Sequence, residues 1–283
     1  MMQPTFSSYS LNCRGRLLHL QRPAVMGIIN ATPDSFYAGS RKQGADAAVE
    51  QAGRMLEQGA LFLDLGGQST KPGNPQLSAS EEADRILPVT EAIHSAFPDA
   101  YISIDTYFSS VARQAVAAGA CIINDISGGL ADDHMLATAA QLQTPFICMH
   151  MRGTPETMQQ QASYQHVTRE VLDFFIKQVA LCKQAGIRDV ILDPGFGFAK
   201  TTAHNLQMLR EMDLFRVMQL PVLLGISRKG TIYKTLGTTA EEALNGTTVL
   251  HTIGLLNGAS ILRVHDVKEA MEAIQLTEAC MQA

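Results

Sequence analysis

Short apolar runs, each ending in a polar or charged residue, recur eight times along the chain. They are AVMGIIN to Asn30, LFLDLGG around Asp64, YISID to Asp105, CIIND to Asn124 and Asp125, PFICMH to His150, VILDPG around Asp193, PVLLGIS to Ser227, and ILRVHD with Arg263, His265 and Asp266. Runs of this length, rich in Val, Ile and Leu, read as strands buried on both faces. Between most of them apolar residues return at helical spacing, over 44–58, 80–96, 107–118, 163–185, 204–218 and 239–257. Four of these helices stop at a glycine just before the next strand, at Gly59, Gly119, Gly186 and Gly258. Glycine there supplies the left-handed residue that ends a helix. Strand–helix alternation repeated eight times predicts an α/β fold of the (β/α)8 TIM-barrel type, with functional residues at the C-terminal ends of the strands.

Ahead of the first barrel strand, residues 6–20 place two semi-apolar runs around Arg14-Gly15, which predicts a β-hairpin. Such a hairpin is expected to plug the N-terminal mouth of the barrel. The chain therefore divides into an N-terminal extension over 1–22 and a single barrel over 23–283. The interval from Asp105 to Asn124 leaves room for one helix, whereas that from His150 to Asp193 includes the polar loop MRGTPETMQQQASYQ. The first two βα loops, TPDSFYAGSRKQG and QSTKPGNPQLSAS, are long and rich in turn formers. Loops of that length are more often functional than idle, and both are expected to close over ligand.

Composition narrows the function classes. The 283 residues suit one barrel, and a net charge of −5 without a basic block gives no reason to expect nucleic acid. No apolar run reaches membrane-spanning length; Val249 to Val264 is broken by His251, Asn257 and Ser260. No basic stretch followed by an apolar core opens the chain, so a cytoplasmic protein is expected. Five cysteines, at 13, 121, 148, 182 and 280, form no C-x-x-C pair, which favours free thiols in a reducing compartment. Cys148 shares a strand face with His150, the one place for a catalytic thiol; the commoner outcome is a small buried hydrophobe.

The strand ends carry the candidate chemistry. Asp105, Asn124 and Asp193 would line one barrel mouth with a carboxylate, an amide and a carboxylate, suited to a heterocycle edge rich in N–H donors. Taken singly, each could instead cap a helix. Ser227-Arg228-Lys229 opens a helix and offers an anion site; a Schiff-base lysine is the alternative at Lys229. Arg263 and His265 alternate with Val264 and would point one way, a cationic pair suited to a phosphate or diphosphate. Asn30, on the strand beside them in a closed barrel, could ligate Mg²⁺ carried by that diphosphate. No H-x-H or H-E-x-x-H spacing marks a zinc site.

Seven segments in order, MGIINATPDSF (26–36), DLGGQSTKPG (64–73), SIDT (103–106), NDISG (124–128), DPGFGFAK (193–200), SRK (227–229) and RVHD (263–266), resemble the dihydropteroate synthases of the pterin-binding enzymes. The resemblance runs from the N-terminal hairpin to the last helix. It implies condensation of 6-hydroxymethyl-7,8-dihydropterin diphosphate with p-aminobenzoate, releasing diphosphate. It implies that Asp105, Asn124, Asp193 and Lys229 bind the pterin. Arg263 would lie by the pterin face and serve the diphosphate and its Mg²⁺ with His265 and Asn30. Thr70, Lys71, Phe36, Pro72, Phe198 and Ser227 would shape the p-aminobenzoate site, where sulfonamides compete. A dissociative substitution and a homodimer formed through outer helices are also implied.

The family often has Glu where this chain has Gln68, Arg where it has Lys71, and Gly where it has Ala199. The first loop continues YAGSR in place of the commoner aspartate-glycine-glycine. These departures bear on p-aminobenzoate and sulfonamide affinity more than on pterin binding. The readings that remain beside a synthase are a pterin-dependent methyltransferase, which has no diphosphate to bind, and a non-catalytic pterin-binding paralogue.

Overall fold

The computed structural model describes residues 6–31, 41–68, 76–154 and 157–283, the side chains of 41–43 and 159 excepted. All eight apolar runs form strands: β3 (Ala24–Asn30), β4 (Phe62–Gly66), β5 (Tyr101–Asp105), β6 (Ile122–Asp125), β7 (Phe146–Met149), β8 (Val190–Asp193), β9 (Leu223–Leu224) and β10 (Ile261–Val264). They make one eight-stranded parallel sheet in the order β8-β7-β6-β5-β4-β3-β10-β9. A parallel bridge between Leu192 and Val222, with the Leu192 N–H donating to the Pro221 carbonyl at 2.9 Å, joins the two ends into a barrel. β9 is short because Pro221, without an N–H, can only accept in this ladder.

Helices α1 (Arg41–Glu57), α2 (Ala79–Ala96), α3 (Ser109–Ala117), α4 (Met135–Leu142), α5 (Val167–Ala185), α6 (Thr202–Arg210), α7 (Gly230–Leu236), α8 (Leu244–Leu256) and α9 (Val267–Gln282) follow the strands. The four helix-ending glycines have φ between 100 and 123°, the left-handed geometry expected of them. Three helical expectations need correction. The pattern over 204–218 divides at Glu211 into α6 and a 3-10 segment, Met212–Met218. α5 begins at Val167, because Glu170 accepts the N–H groups of Gln165 and His166 and fixes the entry turn there. α8 begins at Leu244. α4, a short apolar segment without a clear period, is an additional element.

The hairpin is present as β1 (Tyr9–Cys13) and β2 (Arg16–Leu20), turning through Arg14 and Gly15 at positive φ. Two successive positive φ values match the twist of a tight hairpin. Its inner residues Leu11, Cys13 and Leu20 pack onto Met26, Phe62, Cys121, Ile147, Ile191, Leu223 and Ile261, which form the barrel floor. The Asn12 N–H donates to Asp189 just ahead of β8, at 2.7 Å, and locks the plug in place. Outward-facing strand residues such as Val25, Leu63, Ile104 and Leu192 pack under the helices in a separate, larger core. Each fully buried aliphatic side chain there contributes about 1.5–3 kcal/mol. The opposite mouth, where the strands end, is left for polar side chains.

Candidate functional site

Arg263 on β10 organises the mouth. Its Nε donates to Asp64 at 2.6 Å and its second terminal nitrogen to Asp105 at 2.8 Å. Asp64 is wholly buried and also accepts from the Asn124 amide, at 3.1 and 3.3 Å. One guanidinium thus spans β10, β4 and β5, and Asp64 extends the network to β6. Asp64 did not stand out as a site residue from sequence. The signal was a charged residue inside an otherwise apolar run, which a buried strand tolerates only with a partner.

Alternation along β6 separates its last two residues. Asn124 faces into the barrel, whereas Asp125 accepts from the Ser127 N–H and hydroxyl, both at 2.7 Å, and from the Gly129 N–H at 3.0 Å. Asp125 therefore shapes the following loop.

Asp193 ends β8 and accepts the Gly195 N–H at 2.8 Å. Lys229 approaches from the loop after β9, and its ammonium donates to the Phe196 carbonyl at 2.7 Å and lies 4.8 Å from the centre of the Phe198 ring. A Cβ added to Gly225 would lie 3.7 Å from the Lys229 ammonium and 3.9 Å from an Asp193 oxygen. Both charged groups therefore project toward the space beside that glycine. Ser227 Oγ lies 3.0 Å from His265 Nδ1 and accepts the His265 backbone N–H at 3.2 Å. α7 opens at Lys229, two residues after this serine, which binds His265 and caps no helix. Arg228, at φ 52°, turns away and pairs with Asp266 at 2.7 and 2.9 Å.

Burial sets the charges. It raises Asp105 to about 7 against the opposing pull of Arg263, with Asp64, Glu82 and Asp125 adding to the rise. Burial likewise raises Asp193, opposed chiefly by Lys229. Lys229 is lowered to about 8 by burial, with Asp193 opposing. His265 falls to about 4 through burial and the neighbouring Arg263. Arg263 thus carries the fixed charge, while the lowering of His265, whose side chain is exposed at the mouth, favours a neutral imidazole.

Asn30 ends β3 with its side chain exposed, in register with Gly66. Among the described residues no group of three or more His, Cys, Asp or Glu converges as a metal site. A single amide oxygen fits a Mg²⁺ whose other ligands are phosphate oxygens and water. Phe198 joins Tyr107, Ile126, Met149, Met158 and Ala199 in an apolar cluster. Phe36, Thr70, Lys71 and Pro72 lie outside the described residues. Gln68 exchanges hydrogen bonds with the Tyr107 hydroxyl at 3.1 and 3.3 Å. Ala199 sits at φ 51°, a conformation that favours glycine.

The thiol idea fails on geometry. Cys148 is in the outer core beside Cys182, which with burial pushes its thiol up, away from the thiolate. His150 Nδ1 instead lies 3.0 Å from the buried Lys200 ammonium.

Fold and mouth together define a class: a (β/α)8 barrel that presents carboxylates, an amide and fixed cations to a polar heterocycle. Residues 26–265 match the pterin binding enzyme family, and the chain belongs to it. It is 43% identical over 275 residues to dihydropteroate synthase of Escherichia coli K12, covering 96% of this chain and 97% of that one. A dihydropteroate synthase of Xanthomonas albilineans solved with 4-aminobenzoic acid superposes with TM-score 0.91 at 38% identity, covering 98% of this chain and all of that one (100%). The Yersinia pestis dihydropteroate synthase with a sulfonamide drug superposes with TM-score 0.91 at 40% identity, covering 97% and 100%.

Proposed function

We propose that this chain is a dihydropteroate synthase, joining 6-hydroxymethyl-7,8-dihydropterin diphosphate to p-aminobenzoate with release of diphosphate. The observation that carries the residue roles is the set of buried Asp64, Asn124 and Asp193 and half-buried Asp105 gathered around Arg263 and Lys229. Asp105, Asn124 and Asp193 offer acceptors to the N–H groups of the pterin ring, and Lys229 donates to a ring acceptor. Arg263, held by Asp64 and Asp105, lies against the ring and is the fixed positive charge nearest the leaving group. As the C–O bond breaks, negative charge grows on the diphosphate and positive charge spreads into the pterin. Arg263 stabilises the first; Asp105 and Asp193 in their ionised forms stabilise the second.

Neutral His265 can donate from its outer ring nitrogen to the diphosphate while Nδ1 stays with Ser227. Asn30 would hold a Mg²⁺ bound to that diphosphate, and the ion supplies Lewis-acid neutralisation of the departing oxygens. The p-aminobenzoate amine is neutral at physiological pH, so its attack needs no strong base. Phe198 offers its ring an apolar wall, and Phe36, Thr70, Lys71, Pro72 and Ser227 are assigned to the same subsite.

The synthases among the relatives favour this reading over a methyltransferase. A homodimer is supported by Val249, Ile253 and Leu256, exposed at positions i, i+4 and i+7 of α8. Five free cysteines support a reducing, cytoplasmic setting. No described helix is long and apolar enough to cross a membrane.

The test is diphosphate release from the pterin diphosphate with Mg²⁺, with and without p-aminobenzoate, alongside detection of dihydropteroate. Release coupled to dihydropteroate formation is expected. Pterin binding without condensation would overturn the assignment.

A further inference from the structure

The loop between β8 and α6 turns through three left-handed residues, Gly195 (φ 70°), Gly197 (φ 85°) and Ala199 (φ 51°). The carbonyls of Gly195 and Phe198 in this loop, with that of His150 at the end of β7, converge on the Lys200 ammonium. Lys200 is 3% exposed. It donates to the carbonyls of Gly195 at 3.1 Å, Phe198 at 3.0 Å and His150 at 3.4 Å, and lies 3.0 Å from His150 Nδ1. Among the described residues no carboxylate is in ion-pair contact with it; carbonyl dipoles and a lone pair hold a buried cation. The fit is close, since a Cβ on Gly195 would come within 2.1 Å of the His150 carbonyl.

That arrangement has two sides. One fastens the loop to the end of β7 through His150. The other presents the Phe196 carbonyl and the Phe198 ring to Lys229. Burial pulls the Lys200 ammonium down to about 7, with Asp193 opposing and Lys229 and Arg152 adding. His150 is held neutral by burial and by Lys200 itself, so its Nδ1 lone pair remains an acceptor.

We propose, on the synthase reading above, that Lys200 is a positioning residue of the reaction. By gathering the carbonyls of His150, Gly195 and Phe198 it fixes the Phe196 carbonyl and Phe198 ring, and through them places the Lys229 ammonium at the pterin. Lys200 does not touch the substrate; it acts through Lys229. Its effect must therefore vanish when Lys229 is absent.

A double-mutant cycle tests this with Lys200→Met, Lys229→Met and the pair. The readout is binding of the pterin diphosphate with Mg²⁺ and no p-aminobenzoate, by calorimetry, together with KM and kcat and a melting curve for each variant. Lys200→Met should weaken pterin diphosphate binding about 10-fold, because small misplacements of a binding group cost this much or more. KM should change more than kcat. In the Lys229→Met background the same substitution should change binding less than about 2-fold. Equal weakening in both backgrounds, or none in either, overturns the proposal.

If Lys200→Met does not fold, His150→Leu takes its place in the cycle. It removes one of four acceptors and should weaken binding about 3-fold only while Lys229 is present; an effect surviving in the Lys229→Met background overturns the proposal. The synthase reading fails separately, if the wild-type chain binds the pterin diphosphate yet forms no dihydropteroate.

Discussion

Replacing Asp64 by Asn keeps the shape of a side chain that is wholly buried and removes its charge. Arg263 then loses a 2.6 Å charge-assisted bond and keeps the one to Asp105. A hydrogen bond to a charged group contributes about 1.5–3 kcal/mol, so stability should fall by about 2 kcal/mol. A loss of similar size in holding the pterin corresponds to about a 30-fold rise in its KM.

The sharper consequence concerns Asp105. Two carboxylates on one guanidinium lie on the order of 5 Å apart, where like charges at an effective dielectric of about 20 repel by about 3 kcal/mol, or about two pKa units. Asp64 is one of the groups that raise Asp105 to about 7. The ionised Asp105 of the proposed mechanism is present above that value and is lost as pH falls through it. Without the Asp64 charge, Asp105 should ionise at lower pH, moving the acid limb of activity down by about one to two units. The assay is kcat/KM for the pterin diphosphate from about pH 5 to about pH 9, whose limbs report the free enzyme. The alkaline limb, set by Lys229 at about 8, should stay. An acid limb that stays in place or moves up refutes the shared-guanidinium reasoning.

Three further outcomes follow from the same geometry. His265→Ala should lower turnover about 100- to 1,000-fold and weaken the response to Mg²⁺, the scale of one lost transition-state donor; a Mg²⁺ titration curve identical to wild type removes His265 from the diphosphate. His251 on α8 is buried, has no partner at Nε2 among the described residues and is lowered to about 4 by burial. Its stabilising contribution is therefore full above the unfolded value of about 6.5 and falls as pH drops toward 4, by up to about 3 kcal/mol. Relative to a His251→Leu variant, wild type should lose stability across that window in urea melts, and a difference constant with pH would contradict it. If the proposed homodimer forms through the exposed α8 stripe, Ile253→Glu should shift the chain to monomers by sedimentation velocity without changing its melting temperature by more than a few degrees; an unchanged sedimentation profile removes this stripe from any dimer face.

The barrel was legible because its strands are buried on both faces, so each run from AVMGIIN to ILRVHD stands out against polar loops. Asp105, Asn124, Asp193, Arg263 and His265 were legible as strand ends. α4 was not, since the segment MLATAAQL lacks an apolar stripe of clear period. The break at Glu211 was hidden because apolar spacing continues through the 3-10 turn that follows. Asp64 was masked by its apolar neighbours, and its importance lies in a partner 199 residues away. Lys200 was harder still: its partners are mostly backbone carbonyls, which the sequence does not display. The His265 charge state also depends on burial and on Arg263, quantities absent from a spacing rule.

The hairpin that stoppers the barrel floor also governs traffic. With Leu11, Cys13 and Leu20 seated on the strand starts, the described residues close the barrel floor and leave the mouth at the strand ends for ligand. On the proposed function, a pterin held by Asp105, Asn124 and Asp193 would enter through that mouth ahead of p-aminobenzoate, and dihydropteroate would leave by it. Ordered binding and inhibition by product would then trace to the end of the molecule farthest from the chemistry.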